Sequence, residues 1–274
     1  MRTSTAKIKA VTLDLWQTLI FDRDGASEER NLIRCNNLSK AFRQLGIAVS
    51  AGQLSSILKE MSSWLANVWA SDKEVTHLDH IRFILERVSG GSITMSDDQL
   101  GMLSSAYASP IFECPPYLDP AAHYLLRWLR DTGRGIGLIS NVGMTPGFVL
   151  RQVLQRNGIE SYFEVMIFSD EVGIRKPDRS IFGQTVEKLN AKPGDIVHIG
   201  DDLRSDIWGA KNAGFRTIFL STDVGRDKVA ERDPTSLVYV TRALSRGMRC
   251  EEVAPDRIIS SLEMAIEAIE QLGS

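Results

Sequence analysis

HIGDDLRSDIWGAKNAG, residues 198–214, runs from an apolar strand through three aspartates into a helix rich in small residues. Asp201, Asp202 and Asp206 stand where the strand gives way to the helix. Other apolar runs also end on polar groups. IKAVTLD (8–14) stops on Asp14, and GIGLISN (135–141) stops on Ser140 and Asn141. Two further runs, EVMIF (164–168) and FRTIFL (215–220), complete the set. Between them lie helically spaced apolar residues: Leu125, Leu126 and Leu129 in 121–130, then Val149, Val153 and Leu154 in 148–156. Ile181, Phe182, Val186 and Leu189 mark a third helix over 180–189, and 205–213 is a fourth. Nearly continuous apolar strands alternating with helices predict an α/β fold, a Rossmann-like parallel sheet covered on both faces. In such sheets the ligand lies beyond the carboxyl ends of the strands. Asp14, Ser140, Asn141, Asp201 and Asp202 all stand at those ends.

Residues 28–110 have a different pattern. Leu38, Ala41, Phe42 and Leu45 share one helical face, as do Leu54, Ile57, Leu58, Met61 and Leu65, and then Ile81, Ile84, Leu85 and Val88. No strand interrupts them. The stretches DRDGAS (22–27) and ECPPYLDP (113–120) are rich in turn formers and read as linkers. The expected division is a core of 1–24 and 114–274 with an all-helical domain, 25–113, inserted after the first strand. The polar segment 222–250 has no clear pattern. Residues 257–272 are expected to form an amphipathic helix through Leu262, Ile266, Ile269 and Leu272.

Over the 274 residues, a net charge of −3 provides no basic footprint for nucleic acid or an anionic membrane. No apolar run approaches the length of a membrane span. Lys7 and Lys9 interrupt the start of the chain, which lacks a signal-peptide pattern. Cys35, Cys114 and Cys250 are scattered and odd in number, against a disulfide framework or a zinc site. A cytoplasmic location is expected. Oligomeric state is not readable from these features.

Four signatures fall in order along the chain: VTLDLWQTL (11–19), GLISN (137–141), RKPDRSIF (175–182) and HIGDDLRSDIWGAKNAG (198–214). Together they resemble the four motifs of the haloacid dehalogenase superfamily, over everything outside the helical insert. The resemblance implies a hydrolase with a helical cap of the C1 type. It assigns Asp14 as nucleophile and Lys176 as its catalytic cation. Mg2+ would be the cofactor, held by Asp14, Asp201 and the Trp16 carbonyl, the position two after the nucleophile. Ser140, Asn141 and Trp16 would meet the substrate, a small phosphorylated molecule, while Asp202 and Asp206 would support the metal or the lysine from behind. The residue types suit this chemistry. A carboxylate attacking phosphorus forms an aspartyl-phosphate and splits one hard step into two. Lysine and a divalent cation offset the repulsion between Asp14 and a phosphate dianion, and magnesium prefers oxygen ligands.

Blander readings stand beside these. Ser140 and Asn141 also suit a helix cap, Lys176 a solvated loop, and Asp202 and Asp206 the positive end of the following helix. His198, inside a strand, reads as a core histidine. Arg30 and Arg34, just after the first linker, are either anion contacts or charges on a solvated face. Gln17 replaces a frequent family glycine, which a single helical turn is expected to tolerate. Trp16 is the main departure. Family phosphatases usually carry there a second Asp that protonates the leaving group, and an indole N–H cannot act as acid or base near neutral pH. An aromatic at this position is similar to the 2-haloacid dehalogenase branch. Yet the acidic pair Asp201-Asp202 facing Asp14 calls for a cation, and a cation for phosphate. Three functions thus remain open: a magnesium-dependent phosphatase or phosphotransferase with unusual acid–base chemistry, a dehalogenase-like hydrolase, and a weakly or non-catalytic binding protein.

Overall fold

The computed structural model describes residues 8–221 and 248–274. The strands among them are β1 (Ala10–Leu13), β2 (Ile20–Phe21), β3 (Tyr117–Leu118), β4 (Gly135–Ser140), β5 (Val165–Phe168), β6 (Ile196–Gly200), β7 (Arg216–Leu220) and β8 (Arg257–Ile259). Six of these build one sheet in the order β5-β4-β1-β6-β7-β8, with every neighbouring pair parallel. β1 lies between β4 and β6: Ala10 is level with Gly135 and Ile196, and Leu13 with Leu138 and Ile199. The fold is the expected α/β sheet, and its register makes the chain ends at Asp14, Asn141 and Asp201 emerge side by side. All four β1 residues are buried, because apolar clusters cover both faces. Leu125, Leu126 and Leu129 lie on one face and Ile181 and Phe182 on the other.

The insert is helical, as its periodicity implies. Four long helices, α1 (Ala26–Gln44), α2 (Ala51–Ala70), α3 (His77–Ser89) and α4 (Asp97–Ala108), bury Leu38, Phe42, Leu54, Met61, Leu65, Ile84 and Leu103 in a cluster of their own. The sequence sets three of the starts. Ser50 with Gln53, Thr76 with Asp79 and Ser96 with Gln99 each form a reciprocal capping box, satisfying two end N–H groups apiece. Val149 and Val153, on the core helix Gly147–Arg156, join this cluster and tie the insert to the sheet. Gly147 makes that approach possible, since a Cβ there would lie 2.5 Å from Phe168 Cβ.

Three features differ from expectation. At the linkers, β2 and β3 pair antiparallel into a short ribbon instead of leaving two plain turns. The expected terminal helix over 257–272 is divided: β8 continues the sheet, Leu262–Met264 is a single tight turn, and the helix itself is Ala265–Gly273. The reason is that Ile259 is buried at the sheet edge while Ile258 is exposed, which is strand alternation within a pattern that also fits a helix. Finally, most of the 222–250 segment lies outside the described residues; its end enters the short helix Cys250–Val253. No described helix is long and apolar enough to cross a membrane.

The insert carries a pH liability. Burial, reinforced by the nearby Arg34 charge, lowers the pKa of His77 to about 4. Burial with His77 and Arg34 lowers that of His80 to about 3. Both histidines stay neutral in the native state while the unfolded chain takes up protons below its ordinary value of 6.5. Their contribution is therefore complete above 6.5 and lost as pH falls towards the two folded values. Thermal melts from pH 7.5 to 5 should show falling stability, with a shallower slope in His80→Asn; an unchanged slope would remove these histidines as the cause.

Candidate active site

The position of Asp14 is defined by the strand before it and the turn after it. Asp14 N–H donates to the Ile199 carbonyl at 2.9 Å, extending the β1–β6 pairing by one residue. The chain then turns tightly, with the Leu15 carbonyl accepting from Leu19 N at 2.8 Å and Ile20 N at 3.0 Å. Gln17 takes φ 62° in that turn. The expectation of a freely tolerant position is thus corrected: a left-handed conformation costs a side-chain-bearing residue about 1–2 kcal/mol.

Lys176 enters from the loop before the helix Arg179–Lys188 and is not solvated. Its buried ammonium donates to Asp14 Oδ1 at 2.6 Å, Asp206 Oδ1 at 2.6 Å and the Ile139 carbonyl at 2.7 Å. Its backbone is clamped by Asn141, whose Oδ1 accepts from Lys176 N at 2.8 Å while its Nδ2 donates to Lys176 O at 2.9 Å. The Asn141 amide, expected at the substrate, is engaged in holding the lysine. It does not cap a helix, the next of which begins at Gly147.

Asp206 stands on a wide turn, Leu203–Trp208, where Ile207 N–H reaches back five residues to the Asp202 carbonyl. Such π-type turns recur at functional sites. Asp206 Oδ2 accepts from Asp202 N–H at 2.9 Å, and its side chain lies against Gly200, where a Cβ would come within 2.3 Å of the carboxyl carbon. Glycine at 200 therefore allows the carboxylate to lie against the strand end. His198 is the core histidine expected. Its Nε2 lies 3.3 Å from Asp206 Oδ1 and its Nδ1 2.9 Å from Thr12 Oγ1. An ionised carboxylate only accepts, so Nε2 carries the proton and Nδ1 accepts from the threonine. Asp202 Oδ1 accepts from Arg204 N and Ser205 N and caps this turn.

Asp14, Asp201 and Asp206 can each turn one oxygen to within 4.8 Å of the others. Three carboxylates and no sulfur or imidazole form a donor set for a hard cation such as Mg2+. The charges shape one another. Burial, with repulsion from Asp206, outweighs the Lys176 charge and raises Asp14 to about 7. For Asp206, burial pushes upward, yet Lys176 and His198 prevail and hold its pKa well below the usual carboxylate range. Burial also opposes the Lys176 charge, but Asp14 and Asp206 keep it firmly protonated.

Residues 8–214 match the family of haloacid dehalogenase-like hydrolases. The chain belongs to that family. A glyceraldehyde 3-phosphate phosphatase of Methanopyrus kandleri is 27% identical to this hydrolase over 254 residues, 87% of this chain and 99% of that one. A pyrimidine 5'-nucleotidase of Escherichia coli is 37% identical over 125 residues, 44% of this chain and about half, 52%, of its own length. Among solved structures, a 2-haloacid dehalogenase from Pseudomonas syringae pv. Tomato DC3000 superposes with a TM-score of 0.63 at 20% identity, covering 96% of this chain and 99% of that one. A HAD phosphatase from Thermococcus onnurineus gives 0.57 at 22%, covering 94% and 96%. At such identities the structural likeness establishes the fold.

The remaining expected residues are distributed as follows. Ser140 is fully buried at the end of β4, its hydroxyl 3.3 Å from the Asn141 carbonyl. Trp16 is half-buried between the sheet cluster and the insert cluster, with the Arg30 guanidinium 5.8 Å from its ring centre. Arg30 and Arg34 are not on a solvated face. Arg30 forks onto Asp22 and donates to the Cys114 carbonyl at 2.8 Å. Arg34, 2% exposed, donates to the Tyr107 carbonyl at 2.9 Å and to Asn31. The Asn141–Lys176 clamp had no local signal in the sequence, because its partners stand 35 positions apart.

With its pKa raised, Asp14 favours the native state least when ionised. That penalty is absent below the ordinary value of 3.8 and complete above about 7. In metal-free buffer, Asp14→Asn should therefore melt above the wild type at pH 8 and converge with it near pH 4. A variant less stable at pH 8 would contradict the strain assigned to Asp14.

Proposed function

We propose that this hydrolase is a magnesium-dependent phosphatase of a small phosphorylated metabolite, working through an aspartyl-phosphate on Asp14. The observation that carries the proposal is the convergence of Asp14, Asp201 and Asp206 within 4.8 Å, beside an ammonium 2.6 Å from two of them. Three carboxylates this close repel one another unless a cation joins Lys176 in balancing them. They weigh against dehalogenation, which needs no metal. The full-length likeness to a phosphatase supports the same choice.

Asp14, Asp201 and the Trp16 carbonyl would hold Mg2+, with Asp206 close enough to join, and the ion would supply neutralising charge to the bound phosphate. Asp14 attacks phosphorus through one carboxylate oxygen. As that bond forms, the bond from phosphorus to the leaving oxygen breaks and its electron pair departs with the leaving group. Water then adds to phosphorus, the Asp14–phosphorus bond breaks, and phosphate is released with the carboxylate restored. The Lys176 charge opposes the burial that favours the neutral form of Asp14 and faces the approaching anion. Ser140 and the N–H groups beyond β4 hold the phosphate oxygens, as preorganised donors do wherever negative charge gathers. The insert, 25–113, serves as a cap domain over the strand ends. Cys35 and Cys114 are buried thiols, in keeping with a reducing cytoplasm as its location.

Trp16 directs the substrate preference. General acid catalysis is typically worth 10²–10⁴-fold, and Trp16 provides none, so acyl and aryl phosphates should turn over far faster than alkyl phosphates. The test is a panel of phosphate esters with 2-chloropropionate, each with and without magnesium. Phosphate release that requires magnesium is expected; halide release without metal would overturn the reading. Asp14→Asn should abolish turnover, and Asp201→Asn should mainly raise the magnesium concentration required.

Trp16→Asp adds a carboxyl where an acid is lacking. Hydrolysis of alkyl phosphates should rise, with much less change for p-nitrophenyl phosphate, whose leaving group hardly needs protonation. A thermal melt must accompany the kinetics, because Trp16 packs on both clusters. A folded variant that loses both activities alike would show that the indole shapes the pocket for its ligand.

A further inference from the structure

A short segment between α2 and α3, residues 71–75, adds charged contacts to the apolar ones that hold the insert on the core. Glu74 pairs with Arg175 at 3.0 Å, their side chains 1% and 3% exposed. The Glu74 carboxylate also accepts from Trp69 Nε1 at 3.0 Å and from Val75 N at 2.9 Å. The Arg175 guanidinium lies 4.4 Å from the centre of the Trp69 ring. Two residues before Glu74, Asp72 takes a two-pronged contact from Arg204 at 2.8 and 2.7 Å, a pair open to solvent.

Both arginines adjoin residues of the acidic site. Arg175 precedes Lys176 directly, and Arg204 follows Asp201 and donates its N–H to Asp202. Separating the insert from the core would return Glu74 and Arg175 to water. Seating it buries both, which is tolerable only when each finds the other. Removing a single partner therefore burdens the seated arrangement alone.

We propose that Glu74 is a positioning residue for Lys176: through Arg175 it locks the lysine loop when the insert is seated, so the charged site is complete only when closed. The Asn141 clamp fixes Lys176 from the core side. The Glu74–Arg175 pair fixes the preceding residue from the insert side. Asp72–Arg204 is a weaker second contact, as exposed pairs are.

The kinetic arm of the test rests on the phosphatase reading, and the exchange arm does not. On the full-length chain, Glu74→Gln should lower kcat for p-nitrophenyl phosphate between about 10-fold and 100-fold, the scale of a misplaced reacting group, with KM within about threefold. Glu74→Asp should recover part of the loss, and Asp72→Asn should change kcat by less than about threefold. Hydrogen exchange should quicken in both 71–76 and 174–177 of Glu74→Gln. Should that variant fail to fold, the double variant Glu74→Gln/Arg175→Met removes both buried charges and should fold while keeping the kcat loss and the fast exchange. A folded variant with wild-type kcat, or with wild-type exchange at 174–177, overturns the proposal. A wild type without phosphatase activity would instead count against the phosphatase reading and leave exchange to decide this one.

Discussion

One ammonium group holds the carboxyl end of the sheet together. Lys176 is buried with two carboxylates at 2.6 Å, and its charge opposes the cost of ionising either acid at such depth. Several local features serve that arrangement. Asn141 fixes the lysine backbone, and the missing side chain at Gly200 makes room for Asp206. His198, held by Thr12, lies against the far side of the same carboxylate. The charges do not share the strain equally. Asp206 is kept ionised, while Asp14 is driven towards neutrality. The carboxylate proposed as the nucleophile is thus the one its neighbours leave less satisfied. Under the proposed function, a cation would redress that imbalance.

The sheet accounts for how such distant residues meet. β1 lies between β4 and β6 in register, so three loops far apart in sequence open at one level. The helices that seal the sheet bury apolar faces against it, which leaves the strand-end loops to carry polar chemistry. Trp16 is the exception, because it belongs to both the sheet cluster and the insert cluster. A large aromatic there packs on both clusters and links the two parts of the molecule.

What could be read in advance followed the range of the forces involved. Asp14, Asp201 and the parallel sheet were legible because strand periodicity and strand-end polarity are local patterns. Asp206 was recognised as a supporting residue, but its direct bond to Lys176 depends on Gly200 and on a wide turn that spacing alone does not show. Arg30 and Arg34 were misjudged because a buried arginine looks the same in sequence as an exposed one until Asp22 or the Tyr107 carbonyl is brought to it. The Arg175–Glu74 pair spans 101 positions and had no local signal at all. β8 escaped for a different reason: three residues are too few to distinguish strand from helix.

The small β2–β3 ribbon has a consequence for how the chain assembles. Ile20 lies opposite Leu118, so the insert leaves and returns at nearly the same point. Before the ribbon forms, joining β1 to β4 means closing a loop of well over a hundred residues, from Ala10 to Gly135. Once the insert has folded on its own capping boxes and the ribbon has zipped, the open path between those strands shrinks to roughly thirty residues. On a logarithmic closure law this removes about 1 kcal/mol of entropic cost. The helical excursion that interrupts the sheet in sequence thus acts as a clasp that brings the sheet's two central strands within reach of each other.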